Sequence, residues 1–372
     1  MHAEEFPYIS KPRNIPGPAC RLLGTYFLFF TINKRKILMR KYLFYLLCFL
    51  LIIGCDSQNT TGPGDDTTNE NQDDLLILYP DFITNNEDYF ITRISNVPEI
   101  SAEKYMLTVS GIGDAELSFS LDDLMKIEQI EFPLTVECIG NPANGSLLGT
   151  AYWRGFGIYD FLTGIGMDES AGGVKYTAAD GYFASHTLDQ IKNNTVIGAL
   201  FMNDETLPPV QGFPIRIITP GYYGVKQPAW VTSIQILSKD EIDAPRNDYW
   251  APGWIVDTPI ETDCKIFFPV NNTQFQNGDS IAAGGAAFGS NRITDVEISI
   301  DSGESWIQTD IIKSMDADNV WVFWYTNLSF PASGTYTILA RATDDLGNIQ
   351  KHDDNNIYDG NTLLPSTNVI VK

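Results

Sequence analysis

The run "DVEISIDSGESW" constrains the fold more than any other stretch. Val296, Ile298 and Ile300 alternate with polar residues, Asp301-Ser302-Gly303 makes a turn, and the pattern resumes toward Trp306. A period of two followed by a Gly-containing turn is a hairpin signal. "VWVFWY" (Val320 to Tyr325) and "GTYTILARATDDLGN" (Gly334 to Asn348) supply further strands between turn clusters. Their spacing predicts an all-β sandwich over residues 263 to 372.

The region before it, residues 75 to 243, has a different texture. Strand-like runs such as "YMLTVSG" (Tyr105 to Gly111) mix with helix-like ones such as "SLDDLMKIEQ" and "GIYDFLTGIG". In "SLDDLMKI", Ser120 can cap a helix whose Leu121, Leu124, Met125 and Ile127 share a face. There is neither regular βα alternation nor a Gly-rich phosphate loop, so the expected class is α+β rather than a nucleotide-binding doubly wound sheet. Residues 244 to 262, "APRNDYWAPGWIVDTPIE" and its neighbour, read as a proline-stiffened crossing between the two domains.

Charge divides the chain differently. The first 55 residues hold eight of the 24 Lys+Arg but only Glu4 and Glu5 of the 47 Asp+Glu, so the remainder carries 16 basic against 45 acidic residues, a formal charge of -29. Such a field repels nucleic acid. Lys34, Arg35, Lys36, Arg40 and Lys41 precede "YLFYLLCFLLII" (Tyr42 to Ile53), then Gly54 and Cys55. A basic segment followed by about a dozen apolar residues is too short to span a bilayer and reads as an export signal. The ending Ile52-Ile53-Gly54-Cys55 resembles the bacterial lipobox, in which the cysteine is lipidated. Residues 39 to 55 are then a lipoprotein-type signal starting at Met39, residues 1 to 38 an upstream extension, and residues 56 to 74 a disordered acidic linker. The implied location is the bacterial cell envelope, lipid-anchored through Cys55. An uncleaved anchor is the alternative.

Of the five cysteines, this leaves Cys138 and Cys264, which fall in different predicted domains, so a disulfide is the weaker reading. Past the leader the only histidines are His186 and His352. That scarcity argues against a His-rich zinc site, a Ser-His-Asp hydrolase and a Cys-His pair. His352 reads as a surface residue, His186 as a strand-edge or pocket-wall one. There is no CxxC or CxxCH. A single thiolate can still serve a metal whose other donors come from an organic cofactor.

An ordered series of motifs carries a resemblance. "YFITRISNVPEIS", "YMLTVSG…LSFSLDDL", "LTVECIGN", "AYWRGFGIYDFL", "AADGYFASHTL", "ALFMNDETLPPVQGFPIRIITPGYYG" and "AWVTSIQI" follow one another within the region from Phe82 to Ile236. Together they resemble the molybdopterin-binding domain of the sulfite oxidase family. The trailing sandwich is similar to that family's Ig-like dimerisation domain, and the likeness covers about residues 80 to 350.

The resemblance implies a molybdenum-molybdopterin cofactor with Cys138 as the single protein ligand to molybdenum; soft sulfur donors suit such a metal. It implies further cofactor contacts from Arg93, Ser95, Asn141, Asp180, Gln211, Arg216, Gly224 and Lys226. Arg216 offers planar donors for a phosphate, although a surface ion pair is its alternative. An Asp-Gly turn would by itself explain Asp180. Tyr249 stands at the spacing of the family's active-site tyrosine, with aromatic packing between domains as the competing explanation. Partners implied are a small-molecule substrate, a separate electron carrier and a second copy of the chain in a homodimer.

Departures from the family pattern bear on substrate. Two cofactor histidines appear as Ser95 and Gln211, which cannot carry positive charge near neutral pH. Ala143 stands where sulfite oxidases have an arginine, and Ala229 where they have a lysine. The expected chemistry is therefore two-electron oxygen-atom transfer on a small substrate other than sulfite, such as a sulfoxide or N-oxide. A cofactor-free envelope lipoprotein using the same fold for binding or scaffolding is the alternative.

Overall fold

The first domain contains ten strands: β1 (Met106–Ile112), β2 (Ala115–Ser120), β3 (Gln129–Glu137), β4 (Leu148–Gly157), β5 (Gly173–Ala178), β6 (Phe183–Thr187), β7 (Ile197–Met202), β8 (Glu205–Thr206), β9 (Arg216–Ile218) and β10 (Val231–Leu237). One sheet has the order β2-β1-β10-β5-β6, and the other runs β3-β4-β7-β8 with β9 paired to β7. β1 and β10 lie parallel, which places the last strand of the domain in the middle of its first sheet. A computed structural model describes residues 76–242, 248–250, 253–351 and 356–372. The expectations for the export signal, Cys55, the 56 to 74 linker and His352 lie outside those residues.

The helices are short: α1 (Leu121–Leu124), α2 (Ile158–Gly164), α3 (Leu188–Asn193) and α4 (Lys239–Ile242). Ser120 caps α1 through a capping box with Asp123, as its sequence predicts. The expected face is incomplete, however. The helix stops after one turn, Leu124 is buried while Met125 is 40% exposed, and Ile127 reaches the core from the turn that follows. In the core between sheet and helices, Leu107, Val109, Phe156, Leu162, Tyr176 and Ile234 are sealed from solvent.

The second domain holds β11 (Asp263–Phe268), β12 (Thr273–Phe275), β13 (Ile281–Phe288), β14 (Ile293–Ser299), β15 (Ile307–Gln308), β16 (Asp310–Lys313), β17 (Val322–Leu328), β18 (Gly334–Asp344) and β19 (Ser366–Val371). These form two sheets, β11-β13-β17-β16 and β12-β19-β18-β14-β15. The predicted hairpin is present. Ser302 and Gly303 take positive φ of 64° and 89°, and pairing resumes with Ile298 opposite Ile307. Val296 and Ile298 from β14 meet Ile338, Ala340 and Ala342 from β18 in the sandwich core. The α+β domain followed by an all-β sandwich thus agrees with the sequence reading.

All described residues belong to one compact unit, and an apolar cluster joins the two domains. Ile139, Tyr223 and Val225 from the first pack with Ala286, Phe288, Trp321 and Phe323 from the second and Val256 and Ile260 from the crossing. Tyr79, near the start of the first domain and ahead of its first strand, belongs to the same cluster. Its ring stacks on Phe323 and its hydroxyl donates to the Trp324 carbonyl at 2.6 Å. Each such aromatic removed from water contributes about 1.5–3 kcal/mol, so the junction is a core and not a hinge. Cys138 and Cys264 are both free thiols. Among the described residues no helix is long and apolar enough to cross a membrane.

Candidate active site

β3 is buried over Leu134, Thr135, Val136 and Glu137 and delivers Cys138 at its end. The loop that follows is fixed by its own polar groups. Cys138 N–H donates to Leu147 O at 2.9 Å, Asn141 N–H donates to Cys138 O at 2.9 Å, and the Asn141 side chain accepts from Leu147 N–H at 3.0 Å and donates to Glu137 at 2.8 Å. A Cβ on Gly145 would run into Asn141 Oδ1 and Pro142, so the turn needs glycine there.

Cys138 lies on the wall of a cleft of about 120 Å³, about ten times what one ordered water needs. Burial pushes its thiol up to about 11, the Gly140 N–H donated to the sulfur opposes this, and Glu137 adds to it. The free protein therefore keeps Cys138 protonated at neutral pH, and a bound metal would have to displace that proton.

Arg93, Asp180, Gln211, Arg216 and Gly224 share the cleft wall with Cys138. Arg216 is carried by β9 with its guanidinium buried, 5.3 Å from the Trp153 ring centre. Its Nη1 donates to Gln211 Oε1 at 3.0 Å, while its Nε has no partner. Gln211 in turn spends its amide on the carbonyls of Tyr89 and Phe90, so it steers Arg216. Gln227, also on the wall, has an unpartnered Oε1. Asp180 accepts Tyr182 N–H at 2.9 Å across the turn at Gly181, and burial raises its carboxyl. Turn residue and cleft residue are therefore the same side chain.

The other sequence candidates sit elsewhere. Asn141 is buried in the loop contacts above and does not line the cleft. Ser95 follows the lining residues and donates to Asn96 O at 3.2 Å. Lys226 is fully buried off the cleft, with Asp248 at 3.0 Å and Asp257 at 2.7 Å. Tyr249 is 40% exposed and packs on Tyr182, Phe183 and Trp250 rather than forming the wall. His186 is buried on the edge strand β6, its Nε2 3.0 Å from Thr219, with its pKa far below the usual value because of burial and Lys226.

Trp250 and Trp254, which sequence reasoning passed over, do line the cleft, and so does Ala229. Two tryptophans in a crossing that returns between domains were the available signal. Asp248 and Asp257, the partners of Lys226, bracket that pair, so a buried lysine pins both ends of the aromatic segment.

A sulfur, two guanidinium groups and a carboxyl around one cleft, with unpartnered Arg216 Nε and Gln227 Oε1 on its walls, fit a polar, anionic organic group that brings its own metal. Residues 94–244 match the oxidoreductase molybdopterin binding domain, and residues 254–359 match the Mo-co oxidoreductase dimerisation domain. The fold and site are those of a molybdopterin-binding oxidoreductase domain joined to its dimerisation domain.

The chain belongs to the sulfite oxidase family, and its cofactor is molybdenum-molybdopterin. It is 27% identical over 320 residues to mitochondrial sulfite oxidase of Rattus norvegicus, covering 74% of this chain and 58% of that protein. It is 24% identical over 339 residues to nitrate reductase [NADH] of Volvox carteri, covering 74% and 38%. The alignments thus span less than two thirds of either relative. The crystal structure of the sulfane dehydrogenase SoxCD from Paracoccus pantotrophus has the same fold, with a TM-score of 0.67 at 20% identity, covering 76% of this chain and 80% of that one.

Proposed function

We propose that the protein is a molybdenum-cofactor-dependent oxidoreductase that transfers one oxygen atom, with two electrons, to or from a small substrate other than sulfite. The observation that carries this is Cys138 on the same cleft wall as Arg93, Asp180 and Arg216. When bound, the cofactor supplies a molybdenum that exchanges oxygen and cycles by two electrons. Cys138 would be its thiolate ligand. Arg216, aimed by Gln211, and Arg93 would hold anionic oxygens, with Asp180 as acceptor for ring N–H groups. Trp250 and Trp254 would exclude water from the substrate end.

Charge supports a substrate other than sulfite. Among the described residues, Arg93 and Arg216 are the cations on the cleft wall, and both are assigned to the cofactor. Ala229 adds none, Ala143 lies off the wall, and Lys226 is neutralised by two aspartates. A doubly charged oxyanion would enter an acidic molecule with no free cation among the described residues of the cleft wall to meet it. An uncharged sulfoxide or N-oxide avoids that cost.

The proposal extends to a homodimer through the second domain, a separate electron carrier, and export to the cell envelope on a lipid at Cys55. Metal analysis of protein from its native host, with turnover assays on a sulfoxide, an N-oxide and sulfite, tests the main claim. About one molybdenum per chain and turnover of an oxide is the expected result. Well-folded protein without molybdenum would refute it, and sulfite as the best substrate would refute the substrate assignment.

A further inference from the structure

The strand that leads into Cys138, β3, is held from behind by the second domain. Thr135 and Glu137, two apart on β3, both meet that domain. Thr135 N–H donates to Asn319 O at 2.9 Å, and its hydroxyl accepts Trp321 N–H at 2.8 Å. Glu137 lies 3.3 Å from Lys265 Nζ, which also pairs with Asp263; all three side chains are buried. Beyond the cysteine, Asn144 takes a positive φ of 54°, donates to Ser366 O at 2.9 Å and accepts Ile266 N–H at 2.8 Å. The chain is therefore tied to the second domain at residues 135, 137 and 144, through the Thr135 N–H and three side chains, while Cys138 between them lines the cleft.

These ties are more than the sandwich needs for its own stability. Its core closes through Ile266, Ile281, Ile298, Trp324 and Ile338 without them. A buried lysine between two carboxylates is also a weak source of stability, because desolvation offsets the attraction. What such a group supplies is a fixed position. Lys265 cannot move without leaving Glu137 unpaired, and Glu137 is covalently next to the cysteine and bonded to Asn141, which shapes the loop.

We infer that the second domain is a positioning element for the metal ligand: through Lys265, Ser366, Ile266, Asn319 and Trp321 it sets the direction in which the Cys138 sulfur enters the cleft. The inference rests on the reading of Cys138 as ligand. A domain named for dimerisation would thus also complete the active site of its own chain.

The test uses the full chain and two sets of variants. Asn144→Gly keeps the positive φ and removes two ties; the double variant Asn144→Gly with Thr135→Val removes the Trp321 tie as well and alters no charge. Arg341→Ala, which breaks an ion pair with Glu297 between β18 and β14 and touches none of the ties, is the control. In cofactor-free protein the iodoacetamide rate at Cys138 is followed by peptide mass spectrometry, with the fully buried Cys264 as an internal reporter of global unfolding.

The expected result is a rise of about tenfold at Cys138 in the double variant, the change expected when a local opening loses a few hydrogen bonds. A smaller rise is expected in Asn144→Gly and none in Arg341→Ala, with Cys264 unchanged throughout. In metal-loaded protein the thiolate-to-metal absorption band should shift while metal content is retained. Equal Cys138 rates in wild type and double variant would overturn the inference, as would parallel rises at Cys138 and Cys264. Absence of molybdenum from the wild type would instead defeat the ligand reading, and the alkylation pattern would still decide the clamp.

Discussion

Replacing Lys265 by methionine should be the most informative single perturbation of stability. The side chain is buried, with Asp263 and Glu137 as its ion-pair partners and the Phe288 ring beneath it. Methionine fills much of the same volume but leaves two carboxylates buried without their cation. Removing one partner of a buried pair costs about 3–5 kcal/mol. If the second domain unfolds alone, that is a fall in Tm of roughly 12–20 °C; if both domains unfold together, it is roughly half as much.

The defect should depend on pH. Burial holds Glu137 up at about 7 even with Lys265 opposing, so the folded state binds its proton more tightly than the unfolded state. Stability from this group falls as pH rises through the interval between 4.5 and 7. Without Lys265 the carboxyl is raised further, and the fall continues to higher pH and is larger in total. Urea unfolding at pH 5.5 and 8 should therefore show a small loss in the acid arm and the larger loss in the alkaline one. An equal loss at both, or a loss below about 1 kcal/mol at pH 8, would refute the reasoning.

Other expectations follow from the same geometry. Cys138→Ala should abolish turnover and molybdenum retention while changing Tm little, since the half-buried sulfur faces the cleft; full activity would remove its role as ligand. In cofactor-free protein the alkylation rate at Cys138 should keep rising until pH is about 11, whereas an ordinary thiol levels off earlier, and a plateau near pH 9 would contradict the burial argument. Arg216→Gln should lower cofactor occupancy at least about tenfold, the loss expected for a charge-assisted bond of 1.5–3 kcal/mol; metal content per chain reads it. Lys226→Met should leave the buried Asp248 with only its Ser185 hydrogen bonds among the described residues and free the exposed Asp257, cost about 3–5 kcal/mol and red-shift tryptophan fluorescence as Trp250 and Trp254 lose their fixed wall.

Much of the fold could be read from local pattern. Alternation at Val296 and Ile298 and the turn at Ser302-Gly303 gave the hairpin, and Ser120 gave the helix start, because each depends on neighbours within a few residues. The helix end did not follow, since β3 takes up the chain soon after α1 and that competition is tertiary. In the site, the positions of Cys138, Arg93, Asp180 and Arg216 on one cleft could be anticipated from the ordered motifs.

The side-chain partners of Lys226, Asn141 and Gln211 could not be anticipated. A motif aligns a backbone position but does not say whether the polar end turns to the cleft or to a buried aspartate. Trp250 was eclipsed by its neighbour Tyr249 for the same reason: adjacent residues in an irregular segment point in different directions. The Glu137–Lys265 pair joins residues from different domains, and nothing in either local run announces it.

The short strap ahead of β1 has a mechanical consequence. Tyr79 is fastened to Phe323 and Trp324, so the chain meets the second domain before it enters the sheets of the first. Tension applied upstream of residue 76 is therefore taken up by the sandwich, and the cleft that holds Cys138 lies out of the line of pull.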